Sequence, residues 1–242
     1  MGNFYSPLGT PEGSLYRFET SPSKYPTARF TREEEENYKC LAAKTLQDAW
    51  DLFQKKDWKL EAQKGLDAVF TRTDPNGIKM FKLQAQIDVP PRLLLDELYL
   101  KIQELPKWNT TLKESHKVQA IDEYTDITYQ ISADAAGGLV SSRDFVNLRH
   151  WACVEGCYVI CSIKTDHPSL PLNKKFVRGE NGVCCWVMQS IPGKQDKCNF
   201  YWIVNTNLKI WLPGTILAKE MASMMFIYMR DLRKHLQTER RD

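Results

Sequence analysis

The side chains that most often do chemistry are sparse in this 242-residue chain, and nowhere do they assemble into a reactive pattern. His116, His150, His167 and His235 lie far apart with no metal-ligand spacing between them. The cysteines are Cys40, Cys153, Cys157, Cys161, Cys184, Cys185 and Cys198, an odd number without a CxxC pair, which reads as reduced thiols. No GxSxG elbow places a nucleophile, no HExxH places a metal, and no glycine-rich loop cradles a phosphate or dinucleotide. The chain therefore reads as a non-enzyme without metal or cofactor. What remains distinctive is polar residues set into strand patterns: Gln130 after Tyr129, and Arg149 closing the Phe145-Val146-Asn147-Leu148 run. From alternation alone, Arg149 belongs on the solvent face of a half-exposed sheet, because every second residue of such a strand points outward.

Composition narrows the class. The chain is 43% hydrophobic and 26% charged, as folded globular proteins are. Its net charge of +3 offers no whole-chain field for nucleic acid or an anionic membrane, so any membrane contact must be local. No apolar run reaches the roughly 18 to 20 residues needed to span a bilayer, and Met1-Gly2-Asn3-Phe4-Tyr5 lacks the layout of a signal peptide. The expectation is a soluble, cytoplasmic protein.

The elements that must position Gln130 and Arg149 can be read from periodicity. Residues 1–30, rich in Pro, Ser, Gly and Thr, read as a flexible leader, with one domain over 31–242. Thr31 and Glu34 form a capping box before an apolar stripe from Tyr38 to Phe53, which predicts a helix of about 25 residues. Strands follow from Trp58 to Ile87 around an Asp74-Pro75-Asn76-Gly77 turn. Pro90-Pro91 opens a short helix that Pro106 is expected to stop. Strand patterns then run in a long antiparallel meander to Leu208, with Cys153 on one strand and Cys157 and Cys161 on the next, across a Glu155-Gly156 turn. A last helix after Pro213-Gly214 carries Ile216, Leu217, Met221, Met224, Met225, Tyr228, Leu232 and Leu236 on one stripe. This order is α+β.

Tyr129 to Arg149 resembles the START family, in the subgroup of the steroidogenic acute regulatory proteins. The likeness continues in Trp108-Asn109-Thr110-Thr111, in Val177-Arg178-Gly179-Glu180-Asn181-Gly182, in Trp202 to Lys209, and in Leu212-Pro213 before the last helix. The resemblance implies a helix-grip fold, a curved antiparallel sheet around an apolar tunnel closed by the C-terminal helix. It also implies that Arg149 lies deep in the tunnel, and that Gln130 stands where sterol-binding members carry an acid that shares the ligand's hydroxyl with the arginine. Asp134 then becomes an alternative acceptor for Arg149. Asn109, Leu105 and Trp202 become lining residues, and Met221, Met225 and Tyr228 become the ligand face of the lid, where unbranched methionines suit an irregular ligand. Insect members of the subgroup carry xanthophylls, so the implied cargo is a carotenoid such as lutein or zeaxanthin, with cholesterol as the alternative. A carotenoid, being longer, is expected to protrude near the Asp166 to Asn173 loop or under the terminal helix. Phe4-Tyr5-Ser6-Pro7 resembles a phosphorylation-dependent motif that docks to an endoplasmic-reticulum tether protein, although Gly9 stands where that motif prefers an acid. The leader also resembles the linker that follows a membrane-spanning region in an endosomal member, which implies that the chain is the detached START domain of such a protein.

Overall fold

A computed structural model of the chain describes residues 24–138 and 140–239. The Phe4-Tyr5-Ser6-Pro7 motif lies outside the described residues.

Helix α1 (Arg32–Gln54) starts where the capping box requires. Thr31 Oγ1 accepts from Glu34 N at 3.2 Å, and Glu34 Oε2 accepts from Thr31 N at 2.7 Å, so two first-turn donors are satisfied reciprocally. Residues 25 and 28, at the end of the expected leader, contact the sheet. The ring of Tyr25 lies 5.1 Å from that of Tyr129, and Ala28 exchanges hydrogen bonds with the Gln119 amide at 2.8 and 3.0 Å.

Strands β1 (Lys59–Lys64), β2 (Asp67–Thr73) and β3 (Lys79–Ile87) come next. The connection to the second half is more broken than the expected single helix. It comprises α2 (Pro91–Leu95), a π-turn over Asp96–Leu100, a 3-10 turn, and α3 (Leu105–Trp108). Pro106 does not stop the segment; it sits in the first turn of α3, where its missing N–H has no partner to lose.

The second half supplies β4 (Leu112–Ala120), β5 (Thr125–Ser132), β6 (Arg143–Val154) and β7 (Cys157–Lys164). Short β8 (Val177–Arg178) and β9 (Glu180–Asn181) lead to β10 (Cys184–Ile191), β11 (Lys194–Val204), β12 (Thr206–Asn207) and helix α4 (Gly214–Glu239). Glu155 and Gly156 both take positive φ, 49° and 76°, as a tight hairpin between β6 and β7 requires.

The main sheet is ordered β1-β2-β3-β11-β10-β7-β6-β5-β4, with β8 parallel beside β6. The meander is present, and the pairing of β11 with β3 joins it to the first hairpins. That long-range pairing makes one continuous surface that curls around α4. On the outer face α1 covers β6 and β7 through Leu46, Ala49, Trp50, Val159 and Cys161. On the inner face, α2, α3 and α4 pack against Leu83, Ile160, Met188 and Phe200.

Candidate functional site

Between the inner face of the sheet and α4 lies a cavity of about 590 Å³, within the roughly 300–1,000 Å³ range of pockets that bury a small-molecule ligand. Its deep wall is apolar and aromatic: Leu105, Phe145, Trp186, Trp202, Val204 and Tyr228. The mouth lies between the loop joining β5 to β6 (Ala133, Asp134, Ala135), the segment before α4 (Leu208, Leu212), and the first turns of α4 (Leu217, Glu220, Met221).

Seven of the nine residues expected to contact a ligand line this cavity: Leu105, Asn109, Gln130, Asp134, Trp202, Met221 and Tyr228. They serve different ends. Asn109 is buried at the end of α3 and its Oδ1 accepts from Thr111 N and Oγ1 at 3.0 and 2.7 Å, so this side chain shapes the turn into β4. Gln130 reaches sideways, its Nε2 donating to Ser115 Oγ on β4 at 3.1 Å. Asp134 is exposed at the mouth, where Lys113 at 2.8 Å and donors from Ser142 hold its carboxyl below the usual range. The rings of Trp202 and Tyr228 meet at 4.7 Å between centroids, joining β11 to α4.

Arg149 and Met225 stand apart from the lining. Met225 faces the core beside Ala218, Ala222 and Met229, one step round the helix from the cavity stripe of Leu217, Met221, Met224 and Tyr228. Ile216, placed on the same stripe by periodicity, is 43% exposed before the helix reaches the core. Arg149 does lie on the inner face, as the resemblance implied and alternation alone did not, but it is sealed beneath α2 and the π-turn. Its Nε and Nη2 donate to Asp126 Oδ1 and Oδ2 at 2.9 and 2.7 Å, its other donors go to Leu98 O and Tyr99 O, and its guanidinium stacks 4.4 Å from the Tyr99 ring centroid. Neither Gln130 nor Asp134 serves as its acceptor, because Asp126 is directly across the β5–β6 ladder.

The guanidinium in the cavity wall is that of Arg143, at the start of β6. It is 4% exposed and donates from Nε to Leu208 O at 3.1 Å and from Nη1 to Ser141. Among the described residues it has no carboxylate within ion-pairing distance. Nearby, Asn181 donates to Asn147 Oδ1 at 3.1 Å and accepts from Thr206 Oγ1 at 2.6 Å. These wall residues lie inside the motifs that carried the family resemblance. The glycine before them has a packing reason: a Cβ on Gly179 would sit 2.3 Å from the Phe145 ring, itself a wall residue. Sequence alone left Arg143 and Asp126 unremarked because both read as ordinary strand-end polar residues.

The Asp166 to Asn173 loop is not at the mouth. It packs on the opposite face of the sheet, where Leu170 joins Tyr25 and Tyr129. Among the described residues, no group of His, Cys, Asp and Glu could hold a metal ion, and all seven cysteines are free.

One curled antiparallel sheet gripping a terminal helix across an apolar cavity defines a helix-grip fold. The START domain model matches residues 34–241, and the chain belongs to the START family. It is 31% identical to the human mitochondrial steroidogenic acute regulatory protein over 188 residues, covering 77% of this chain and 66% of that protein. It is 30% identical to the zebrafish (Danio rerio) protein of the same name over 206 residues, covering 84% and 72%. The chain thus spans just under two thirds of the length of the human relative. Among solved structures, human StAR-related lipid transfer protein 5 superposes with a TM-score of 0.76 at 19% identity, covering 85% of this chain and 99% of that one.

Proposed function

We propose that this chain binds one elongated isoprenoid in the cavity under α4 and carries it between membranes without altering it, and that the cargo is a carotenoid of the lutein or zeaxanthin type. The observation that carries the reading is the cavity itself. Its apolar wall makes removal of an isoprenoid from water favourable, at about 25 cal/mol for each Å² of apolar surface buried. The polar groups at its mouth suit a terminal oxygen. The likeness to a structure named as a lipid transfer protein supports the class of function. The choice of a carotenoid rests on the resemblance to insect members of the subgroup; Gln130 in place of an acid is consistent with it but suits a sterol equally. A molecule longer than the cavity must pass an end through the mouth beneath the first turns of α4. Cholesterol is the second reading, favoured by the steroidogenic acute regulatory proteins among the relatives.

Exchange takes place at a membrane surface in this reading, with the chain acting in the cytoplasm. Trp211, 86% exposed, lies one residue before the wall residue Leu212 and suits the boundary between lipid and water. The deciding experiment is the visible absorption spectrum of protein purified from a carotenoid-producing host. A banded polyene spectrum that comigrates with the protein on gel filtration is expected. Colourless protein that retains a fluorescent sterol would transfer the assignment to sterols, and protein that retains neither would end the carrier reading.

A further inference from the structure

One buried charge in the cavity wall has no counter-charge. Arg143 is 4% exposed, lines the cavity under α4, and has no carboxylate within ion-pairing distance among the described residues. Its Nε donates to Leu208 O at 3.1 Å, and its Nη1 donates to the carbonyl of Ser141 and, at 2.8 Å, to Ser141 Oγ. Nη2 has no partner among the described residues, and it is not one of the fully enclosed polar atoms of the fold. In a residue that lines the cavity, its two N–H groups are left to whatever the cavity holds. A guanidinium stays ionised at any pH the protein meets, and a buried charge without a counter-ion is costly. Arg149 shows the ordinary solution in this same fold, a two-pronged contact with Asp126. Arg143 is the single lysine or arginine among the described wall residues. Of the two acids in the wall, Asp134 is held by Lys113 at 2.8 Å, and Glu220 on α4 makes no ion pair with Arg143.

We propose that Arg143 is the counter-ion for a carboxylate, and that the cavity takes, besides a neutral isoprenoid, a second class of cargo: a single-chain amphiphile ending in one carboxyl group. A fatty acid and an isoprenoid acid present the same head. One negative charge matches one guanidinium, whereas a doubly charged phosphate would meet Asp134 and Glu220 with a single positive charge to hold it. Ser132, also in the wall, accepts from Arg143 N at 3.0 Å through Oγ, which leaves its own O–H to donate. Arg143 Nη2 and this hydroxyl are the donors on hand for the carboxylate oxygens, and the apolar wall receives the chain. The proposal goes beyond the neutral-carrier reading and needs no hydroxyl on the cargo.

The probes are oleate and retinoate, each against its alcohol, oleyl alcohol and retinol, with the unaltered chain and with Arg143→Gln. The unaltered chain is expected to bind at least one acid more tightly than its alcohol, and which acid binds separates the acyl from the isoprenoid source. In Arg143→Gln that preference should fall about tenfold, because the charge-assisted bond is lost while the apolar contacts remain. A second measurement needs no variant. The carboxyl of the bound acid, labelled with carbon-13 and read by NMR, should stay ionised to lower pH than in neutral vesicles, since a neighbouring guanidinium favours the charged form. Equal losses for acid and alcohol would make Arg143 a structural tie to Leu208, and an unshifted carboxyl titration would place the head away from it; either overturns the proposal. Neutral cargo bound with no affinity for either acid also overturns it and leaves the carrier reading standing. A chain that binds neither the acids nor any neutral isoprenoid overturns both.

Discussion

The pair Asp126–Arg149 shows what a buried charge does in this fold. Both side chains are almost wholly shielded, and the guanidinium has its carboxylate, two backbone carbonyls and an aromatic face. Desolvating such a pair offsets much of its attraction, but removing Arg149 leaves the buried Asp126 carboxylate only the more distant Lys117 Nζ at 3.7 Å, at a cost of up to about 3–5 kcal/mol. Arg149→Met is therefore expected to lower Tm by roughly 6–20 °C, at about 2–4 °C per kcal/mol for a domain of this size. Adding Asp126→Leu to that variant should recover most of the loss, because the stranded carboxylate is then gone. Below the transition, the single variant should still bind cargo at the original stoichiometry, since Arg149 does not line the cavity. Loss of cargo from folded Arg149→Met, read by circular dichroism and gel filtration together, would show that the cargo reaches it. The resemblance led to Arg149 through its position in the chain, and position carries no partner. Asp126 becomes visible only once the β5–β6 register is fixed, and the irregular Gly137-Gly138 connection between the strands hides that register from a linear reading.

At the scale of the element, α4 has two halves held in different ways. Its C-terminal half is tied by polar contacts: Asp231 accepts from Thr110 N at 3.1 Å, Arg233 meets Asp67 at 2.6 Å, and His235 meets Glu97 at 3.1 Å. Among the described residues, no side chain from Gly214 to Met229 makes a hydrogen bond or ion pair with the rest of the protein. Local opening draws on segments with few such ties, so the lid should lift from its first turns and hinge near Asp231. Native-state hydrogen exchange is expected to show amides of residues 219–225 exchanging at least tenfold faster than those of 229–236 in the empty protein, with the difference shrinking when cargo is bound. Uniform protection along α4 would mean that the helix moves as one piece. Periodicity made this helix legible from end to end. It could not divide the stripe into a cavity side and a core side, because Met221 and Met225 differ only in what the curled sheet places opposite them. The same limit applied to the connection after β3, where prolines marked helical turns correctly but packing beneath α4 broke them into π, 3-10 and α pieces.

The whole molecule joins a cavity mouth to an exposed aromatic residue. The antiparallel class and the terminal helix followed from alternation and the 3.6-residue period, whereas the cavity depends on the long-range pairing of β11 with β3, which no local pattern announces. That pairing sets the curl of the sheet, and the curl puts the mouth beside the segment carrying Leu208, Trp211 and Leu212. A net charge of only +3 gives weak long-range steering, so the docking on a bilayer proposed above would draw on local apolar insertion. Trp211 is the largest exposed apolar side chain at the mouth. Burying a large apolar side chain is worth about 1.5–3 kcal/mol, so its loss should weaken docking at least tenfold. Trp211→Ala is accordingly expected to slow cargo transfer between neutral vesicles about tenfold at limiting lipid, with little dependence on salt. Because the side chain is exposed in the free protein, Tm and cargo stoichiometry should hold. Stopped-flow transfer between donor and acceptor vesicles separates the two effects. An unchanged rate would move the docking surface away from this segment, and a reduced cargo capacity at unchanged Tm would make Trp211 part of the cavity rather than its membrane contact.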